Sequence, residues 1–281
     1  MRRSLPMRVL THVLLVFATL VTMYPLLWVV KMAITPSQGF STSASPWPEH
    51  PTLQNFRDVV GTHDLAGRWL FGRQLLNSVI VASVVTVFGL ILSTSAAYAL
   101  SRFRFTGRTL SLRAFLLSQM FPGVVTLIPL YVLLNQLHLL NRLAGLILVY
   151  ATTSVPFCVF MLKGYFDTLP KELEEAVLLD GGTRFTAFYK VALPLARPAL
   201  AVTALFSFLS AWNEFILAST FMNEPEMFTL PVALQRYVGD YSAEWGHFAA
   251  AAILVSVPVM ALFLALERHL IGGLTAGAVK G

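Results

Sequence analysis

The sequence predicts an all-α, polytopic membrane protein with six transmembrane helices. Composition is the first observation behind this. Of 281 residues, 56% are hydrophobic and 12% are charged, with a mean hydropathy of +0.70. An ordinary soluble domain is about 45–50% apolar and about 25% charged. The second is that six stretches are each mostly apolar over about 20 residues, the length that crosses a bilayer core. The third is that the basic residues sort by side: 14 of the 20 fall in or at the edges of the two tails and alternate loops, and 5 in the loops between. The same composition excludes a disordered chain and leaves too little charge to cover a soluble enzyme. The one cysteine, Cys158, excludes a disulfide scaffold and a Cys-ligated zinc site.

The six segments are 9–33, 75–100, 110–134, 143–164, 199–221 and 247–266. Arg2, Arg3 and Arg8 precede the first, as in a signal peptide. Its apolar run continues past Pro25 to Val30, longer than a signal's apolar region, and no clear small-x-small cleavage site follows. It reads as an uncleaved anchor. The loop 34–74 is rich in Ser, Pro and Gly, and separates this anchor from a compact block of five spans. The second and sixth segments carry uncharged cores, 78–100 and 248–266. The third contains Arg113, Pro122-Gly123 and Pro129, and reads as a kinked span, with a re-entrant pair as the alternative.

Basic residues set the orientation. Arg2, Arg3 and Arg8, then Arg102, Arg104, Arg108 and Arg113, then Lys163, Lys171, Arg184, Lys190 and Arg197, then Arg268 and Lys280 share one side. The positive-inside rule makes that side the cytoplasm, with both termini inside. The net charge of +6 therefore reports topology and implies no nucleic-acid partner.

No catalytic or metal site is legible. H-E-x-x-H, G-x-S-x-G and C-x-x-C are absent, and so is the G-x-x-x-x-G-K-[ST] loop of ATP-binding chains. The six histidines are scattered, with no two at helical ligand spacing. Glu214, beside Asn213 in Trp212-Asn213-Glu214-Phe215, is the one acid well inside a span. Ionisable groups in membranes are expensive and usually functional. Two roles stand for Glu214: a structural hydrogen-bonding residue with Asn213 and Trp212, or a proton or substrate ligand.

The most informative segment is 165–198. Asp167 or Thr168 can cap a helix with Pro170 in its first turn, and Glu172, Glu174 and Glu175 sit where the helix dipole favours anions. Leu173, Ala176 and Val177 recur at helical spacing, and Gly181-Gly182 ends the helix. Thr183 can cap a second helix with Phe185, Phe188 and Tyr189 on its apolar face, stopped by Pro194. The product is a helical hairpin with an apolar ridge and an acidic rim, suited to another protein's groove. The alternative is a helix lying on lipid, which usually carries a basic polar face.

This segment resembles the cytoplasmic "EAA" loop of ABC-importer permeases: Glu175-Ala176-Val177, three residues, Gly181, nine residues, Val191-x-Leu193-Pro194. Val replaces the motif's second Ala and its Ile. The resemblance extends to Asn77-Ser78, Arg102–Arg104, Trp212-Asn213-Glu214-Phe215 and the Gly272–Gly281 tail, and points to carbohydrate-importer permeases of the MalG-like subgroup. It implies the type I, MetI-like permease fold, a core at 71–266 with its coupling hairpin at 165–198, an N-terminal segment 1–70 and a cytoplasmic tail 267–281. It implies that Glu174, Glu175, Ala176, Asp180, Gly181, Leu193 and Pro194 serve coupling to an ATPase. It implies that Thr275, Gly277, Lys280 and Gly281 reach into that ATPase dimer. Tyr237 and Tyr241, in the outer loop, become candidates for contact with a binding protein or its sugar, as does Trp245 unless it anchors the membrane interface. The implied partners are a second, MalF-like permease, an ATPase dimer carrying ATP and Mg, and an extracytoplasmic solute-binding protein. The implied cargo is a maltose-, maltodextrin- or trehalose-like oligosaccharide. The chain itself would then need no cofactor and catalyse nothing. A proton-coupled secondary transporter and a membrane-embedded enzyme are the rivals.

Overall fold

The computed structural model describes residues 5–40, 45, 47–239 and 243–278, with residues 5 and 268–278 described by their backbone alone. Among these residues no strand forms, apart from isolated bridges joining His63 to Trp69 and Val238 to Ala243. In hydrocarbon, a helix is the one open-ended element that satisfies its own backbone groups. The apolar runs accordingly fold as helices. In order, these are α1 (Leu5–Ala33), α2 (Gln54–Val60), α3 (Leu70–Arg102), α4 (Arg108–Met120), α5 (Gly123–Gln136), α6 (Leu143–Thr168), α7 (Glu172–Leu179) and α8 (Arg184–Ala187). A π-turn (Phe188–Ala192) then leads to α9 (Leu193–Leu195), α10 (Arg197–Trp212), α11 (Ile216–Phe221), α12 (Leu230–Gln235) and α13 (Trp245–Ala278).

Four helices, α1, α3, α6 and α13, are long and apolar enough to cross a membrane unbroken. Two further segments are bent. α4 and α5 meet at 100°, and the segment Arg184–Leu195 meets α10 at 72°. The first bend is far sharper than the kink expected of the third segment. Phe121 is extended (φ −78°, ψ 123°), the conformation to which a following proline drives its neighbour, and Pro122 has no N–H to continue the ladder.

The chain divides into two compact units, residues 1–72 with 233–257, and residues 73–232 with 258–281. Within the second unit the helix ends define two sides. The start of α3 meets the segment after α11: Asn77 donates to the carbonyls of Glu226 (2.8 Å) and Phe228 (3.1 Å), and Leu230 N donates to Ser78 Oγ (2.7 Å). Asn141, just before α6, donates its N–H to Phe221 O at the end of α11 and accepts from Asn223 and Glu224. The far ends of α3 and α6 meet the α7–α8 hairpin instead. Thus α3 and α6 run in the same direction. The chain between them must return from one side to the other, so α4 and α5 together make one crossing, not a re-entrant pair. The same reasoning makes α10 with α11 one crossing, from the hairpin to Asn141. The fifth segment is therefore not a single helix over 199–221: it breaks at Asn213–Phe215 between α10 and α11.

The core of this unit that bears on function sits at the hairpin end. Tyr98, Val159, Leu162 and Phe166 pack there with Ala97, Ala192 and Ala196, all buried. The alanines leave room for the rings: Tyr98 meets Phe103, Phe166 and Phe188 at centroid distances of 5.9, 5.6 and 4.6 Å.

In the first unit, Asn55 ties the end of α1 to α2. It is buried, and its Nδ2 donates to Ala33 O (2.9 Å) and Thr35 O (2.8 Å). Gln38 donates in turn to Asn55 Oδ1 (2.7 Å), and Trp245 N donates to Gln38 O (2.9 Å).

Candidate functional site

The hairpin begins where α6 ends. Neither Asp167 nor Thr168 caps α7 as expected. Both still belong to α6, where Lys163 holds Asp167 one turn earlier (2.6 Å) and Ser101 donates to its other oxygen (2.6 Å). Pro170 closes α6, and α7 starts from Lys171 with no side-chain cap. Its first turn carries Glu172, Glu174 and Glu175 against the positive end of the helix dipole.

The end of α7 is a complete Schellman motif. Gly182 N donates to Val177 O (2.8 Å) and Gly181 N to Leu178 O (3.1 Å). Gly181 adopts φ +82°, the left-handed conformation that costs glycine nothing. Gly182 is needed for another reason. A Cβ there would lie 2.6 Å from Val177 Cγ1 and 2.7 Å from Val177 O. Thr183 then caps α8 as expected, accepting from Thr186 N (3.1 Å).

Pro194 does not stop the second helix. The widened π-turn at Phe188–Ala192 precedes it, and Pro194 falls in the first turn of α9, where its missing N–H is harmless. The chain turns later, at Ala196, into α10. Tyr165 fixes this corner by donating to Leu195 O (2.9 Å).

The hairpin's side chains divide sharply. Facing outward are Leu173, Leu179, Phe185 and Tyr189, with Leu179 89% exposed and Phe185 73% exposed; the Phe185 and Tyr189 rings stack at 6.5 Å. Glu175, Ala176, Asp180 and Gly181 are exposed on the same element, while Leu193 and Pro194 are half-buried at its base. Phe188 departs from the expected apolar ridge: it turns inward onto Tyr98. Glu174 also turns inward and is buried. Its Oε1 accepts from Arg102 Nε (2.7 Å) and its Oε2 from the Tyr98 hydroxyl (2.7 Å). Arg102 also donates to Leu169 O (3.1 Å), in the link between α6 and α7. Lys171, Glu175, Leu178 and Arg184 complete a small cleft beside this pair. Sequence reading placed Arg102 among the topology-setting cations and left Tyr98 unassigned. An acid in a first helical turn looks solvated until the tertiary structure shows what it faces.

At the break between α10 and α11, Glu214 caps α11. Its Oε1 accepts from Leu217 N (2.8 Å) and its Oε2 from Ala218 N (3.0 Å), and Tyr150 donates to Oε2 (2.5 Å). Trp212 is buried against Phe208, and Asn213 is exposed. Sequence reading found Glu214 but not Tyr150, because no spacing rule links α6 to the α10–α11 break.

In the first unit, Tyr237 is half-buried against His247 (5.7 Å), and Trp245 packs edge-on against Phe40 (5.4 Å). Tyr241, Lys280 and Gly281 lie outside the described residues. Thr275 and Gly277 fall on the backbone of α13. Among the described residues, no group of His, Cys, Asp and Glu could hold a metal ion.

Long apolar helices, two segments broken into shorter helices, and a protruding hairpin with an apolar outer ridge define a multi-pass membrane protein. The chain belongs to the binding-protein-dependent transport system inner membrane component family, whose model matches residues 89–274, and within it to the MalG-like carbohydrate permeases of ABC importers. The galactooligosaccharides transport system permease protein GanQ of Bacillus subtilis is 36% identical over 273 residues, covering 96% of this chain and 95% of GanQ. The maltose/maltodextrin transport system permease protein MalG of Escherichia coli K12 is 38% identical over 290 residues, covering 97% of this chain and 95% of MalG. The fold matches a chain of a bacterial ABC transporter that imports the acidic polysaccharide alginate, with TM-score 0.79 and 23% identity, over 95% of this chain and 99% of that one. The chain is thus a permease subunit of a sugar ABC importer.

Proposed function

We propose that this permease moves a maltose-, maltodextrin- or trehalose-like oligosaccharide by alternating access, driven by a separate ATPase dimer that docks on the α7–α8 hairpin. The observation that carries the docking is the outward ridge. Leu179, Phe185 and Tyr189 are exposed on a rigid, doubly capped element, while that element's other face is buried in the protein. An apolar ridge held out this way fits a protein groove. ATP and Mg belong to the ATPase, because no ATP-binding loop is present in the sequence.

In this reading the hairpin and both termini are cytoplasmic, and the segment between α11 and α13, with Tyr237 and Tyr241, faces the solute-binding protein. A second, MalF-like permease completes the pathway. The segments 1–70, 71–266 and 267–281 act as outer anchor, transport core and ATPase-contacting tail, the last through Thr275, Gly277, Lys280 and Gly281. The maltodextrin class rests on likeness to MalG, and GanQ marks galactooligosaccharides as the competing cargo. Proton coupling has less support: Glu214 spends its carboxylate on two backbone N–H groups and Tyr150, as a cap does.

The test is binding-protein-dependent uptake by the assembled transporter in vesicles. Labelled maltose or trehalose should enter with ATP, and Leu179→Asp should abolish both uptake and co-purification of the ATPase. Uptake of galactooligosaccharide alone would overturn the substrate class. Uptake driven by a proton gradient without ATP would overturn the mechanism.

A further inference from the structure

Glu174 stands out among the hairpin acids because it is turned into the protein. Its neighbours Glu172 and Glu175 are exposed, whereas Glu174 is 9% exposed and both of its oxygens are spent inside the chain. One goes to Arg102 Nε at the last residue of α3, and the other to the Tyr98 hydroxyl one turn earlier on the same helix. Arg102 extends the connection by donating to Leu169 O and to Ser101 Oγ (3.1 Å each). Ser101 in turn donates to Asp167 at the end of α6. The Tyr98 ring is wedged among Phe103, Phe166 and Phe188, the last belonging to the π-turn that follows α8.

The Glu174 carboxylate thus joins the hairpin to the end of α3, and Arg102 and Ser101 carry the connection on to the end of α6. The join is stiff. The charged pair is largely desolvated, with side chains 6% and 12% exposed, so water cannot replace either partner cheaply. Charge-assisted hydrogen bonds of this length are strong and directional. The bidentate use of Glu174 along α3, at Tyr98 and Arg102, also resists rotation of α7 about its own axis.

We infer that Glu174, Arg102 and Tyr98 form an internal strut that makes α3 follow α7, and that Glu174 positions the hairpin rather than contacting the ATPase. This rests on the docking role proposed above and separates two tasks within the hairpin. The outer ridge receives the ATPase's motion, and the strut passes it to the bundle. Without the strut, α7 could move with the ATPase while α3 stays behind. Hydrolysis would then continue and transport would lag.

The experiment uses the complete transporter with its ATPase and binding protein in proteoliposomes, and reads sugar transported per ATP hydrolysed. Glu174→Gln keeps the side chain's shape and removes its charge; Tyr98→Phe keeps the ring and removes the hydroxyl. Each should leave ATPase co-purification intact. Glu174→Gln should lower the transport-to-hydrolysis ratio by about fivefold or more, the low end of ordinary coupling between sites. The exchanged pair Glu174→Arg with Arg102→Glu should recover part of the ratio lost by either single change. An unchanged ratio in both Glu174→Gln and Tyr98→Phe would overturn the strut. So would loss of ATPase co-purification in Glu174→Gln, which would return Glu174 to the docking face. Failure of the docking reading itself shows separately, as full co-purification and coupling in Leu179→Asp.

Discussion

Ser154 Oγ lies 2.8 Å from Ser207 Oγ, joining the middle of α6 to the middle of α10. Ser93 adds α3 to the same layer by donating to Val155 O (3.2 Å). Gly89 faces both serine hydroxyls, and a Cβ there would sit 3.8 and 3.9 Å from them. Small and hydroxylated residues let helices approach in lipid, where no hydrophobic drive brings them together. Ser154→Ala and Ser207→Ala should each cost about 0.6 kcal/mol, the usual scale for such bonds in membranes. The double variant should cost no more than the larger single, since both remove one shared bond. Gly89→Ala should be accommodated and Gly89→Leu should not. Thermal unfolding of the detergent-solubilised transporter, followed across this set, checks the order.

The two hairpin glycines should fail for different reasons. Gly181 holds φ +82° with open space around it, so Gly181→Ala costs only the left-handed strain, about 1–2 kcal/mol. Gly181→Asn should cost less, because asparagine tolerates that conformation. Gly182→Ala meets both a side chain and the backbone of Val177 and should distort the cap more. Val177→Ala would relieve the contact with Cγ1 but not the one with the carbonyl, so it should rescue Gly182→Ala only in part. Transport assays should rank Gly181→Asn above Gly181→Ala, and both above Gly182→Ala. Equal activity in Gly182→Ala and the unsubstituted chain would refute the steric account.

Much of this was legible in the residues. Apolar run length located the spans, and the Gly181-Gly182 and Thr183 pattern placed the hairpin's turn, because both signals are local. Two departures rest on partners distant in sequence: the inward turn of Glu174 on Arg102 and Tyr98, and the corner after Pro194 on Tyr165. The break at Asn213–Phe215 likewise brings Glu214 to Tyr150, 64 residues away. Periodicity reports which face of a helix is apolar. It does not report that an acid on the polar face will find a buried arginine 72 residues away.

Glu214 separates a structural role from a proton-carrying one. As a cap it accepts three hydrogen bonds, two of them from the start of α11. Glu214→Ala should leave those donors and the Tyr150 hydroxyl unpaired, costing about 1–3 kcal/mol if all stay buried. Glu214→Gln keeps one acceptor oxygen and should cost less. For transport, a capping role predicts that Glu214→Gln lowers uptake by the same factor at every pH. Uptake by Glu214→Gln that loses the pH dependence of the unsubstituted protein would instead make Glu214 a proton carrier.

Asn55 should be the most sensitive residue of the first unit. Its amide donates to the carbonyls of Ala33 and Thr35, where the end of α1 leaves acceptors without helical partners, and its oxygen accepts from Gln38. Asn55→Asp keeps the volume but turns the donor into an acceptor, placing a carboxylate against two carbonyl oxygens. Asn55→Leu removes both donors and orphans the carbonyls. Each should cost about 1–3 kcal/mol, with Asp the worse because it also buries a charge. Gly246 offers a control at the same point: a Cβ there would come within 2.8 Å of Asn55 Nδ2 and 2.9 Å of Gln38 Oε1, both ends of movable side chains. Gly246→Ala should therefore weaken the same bonds more gently than either Asn55 variant. Limited proteolysis of the loop 34–69 in membrane vesicles reads the outcome. Cleavage should accelerate in the order Gly246→Ala, Asn55→Leu, Asn55→Asp, and unchanged cleavage in all three would show that Asn55 does not hold this segment to α1.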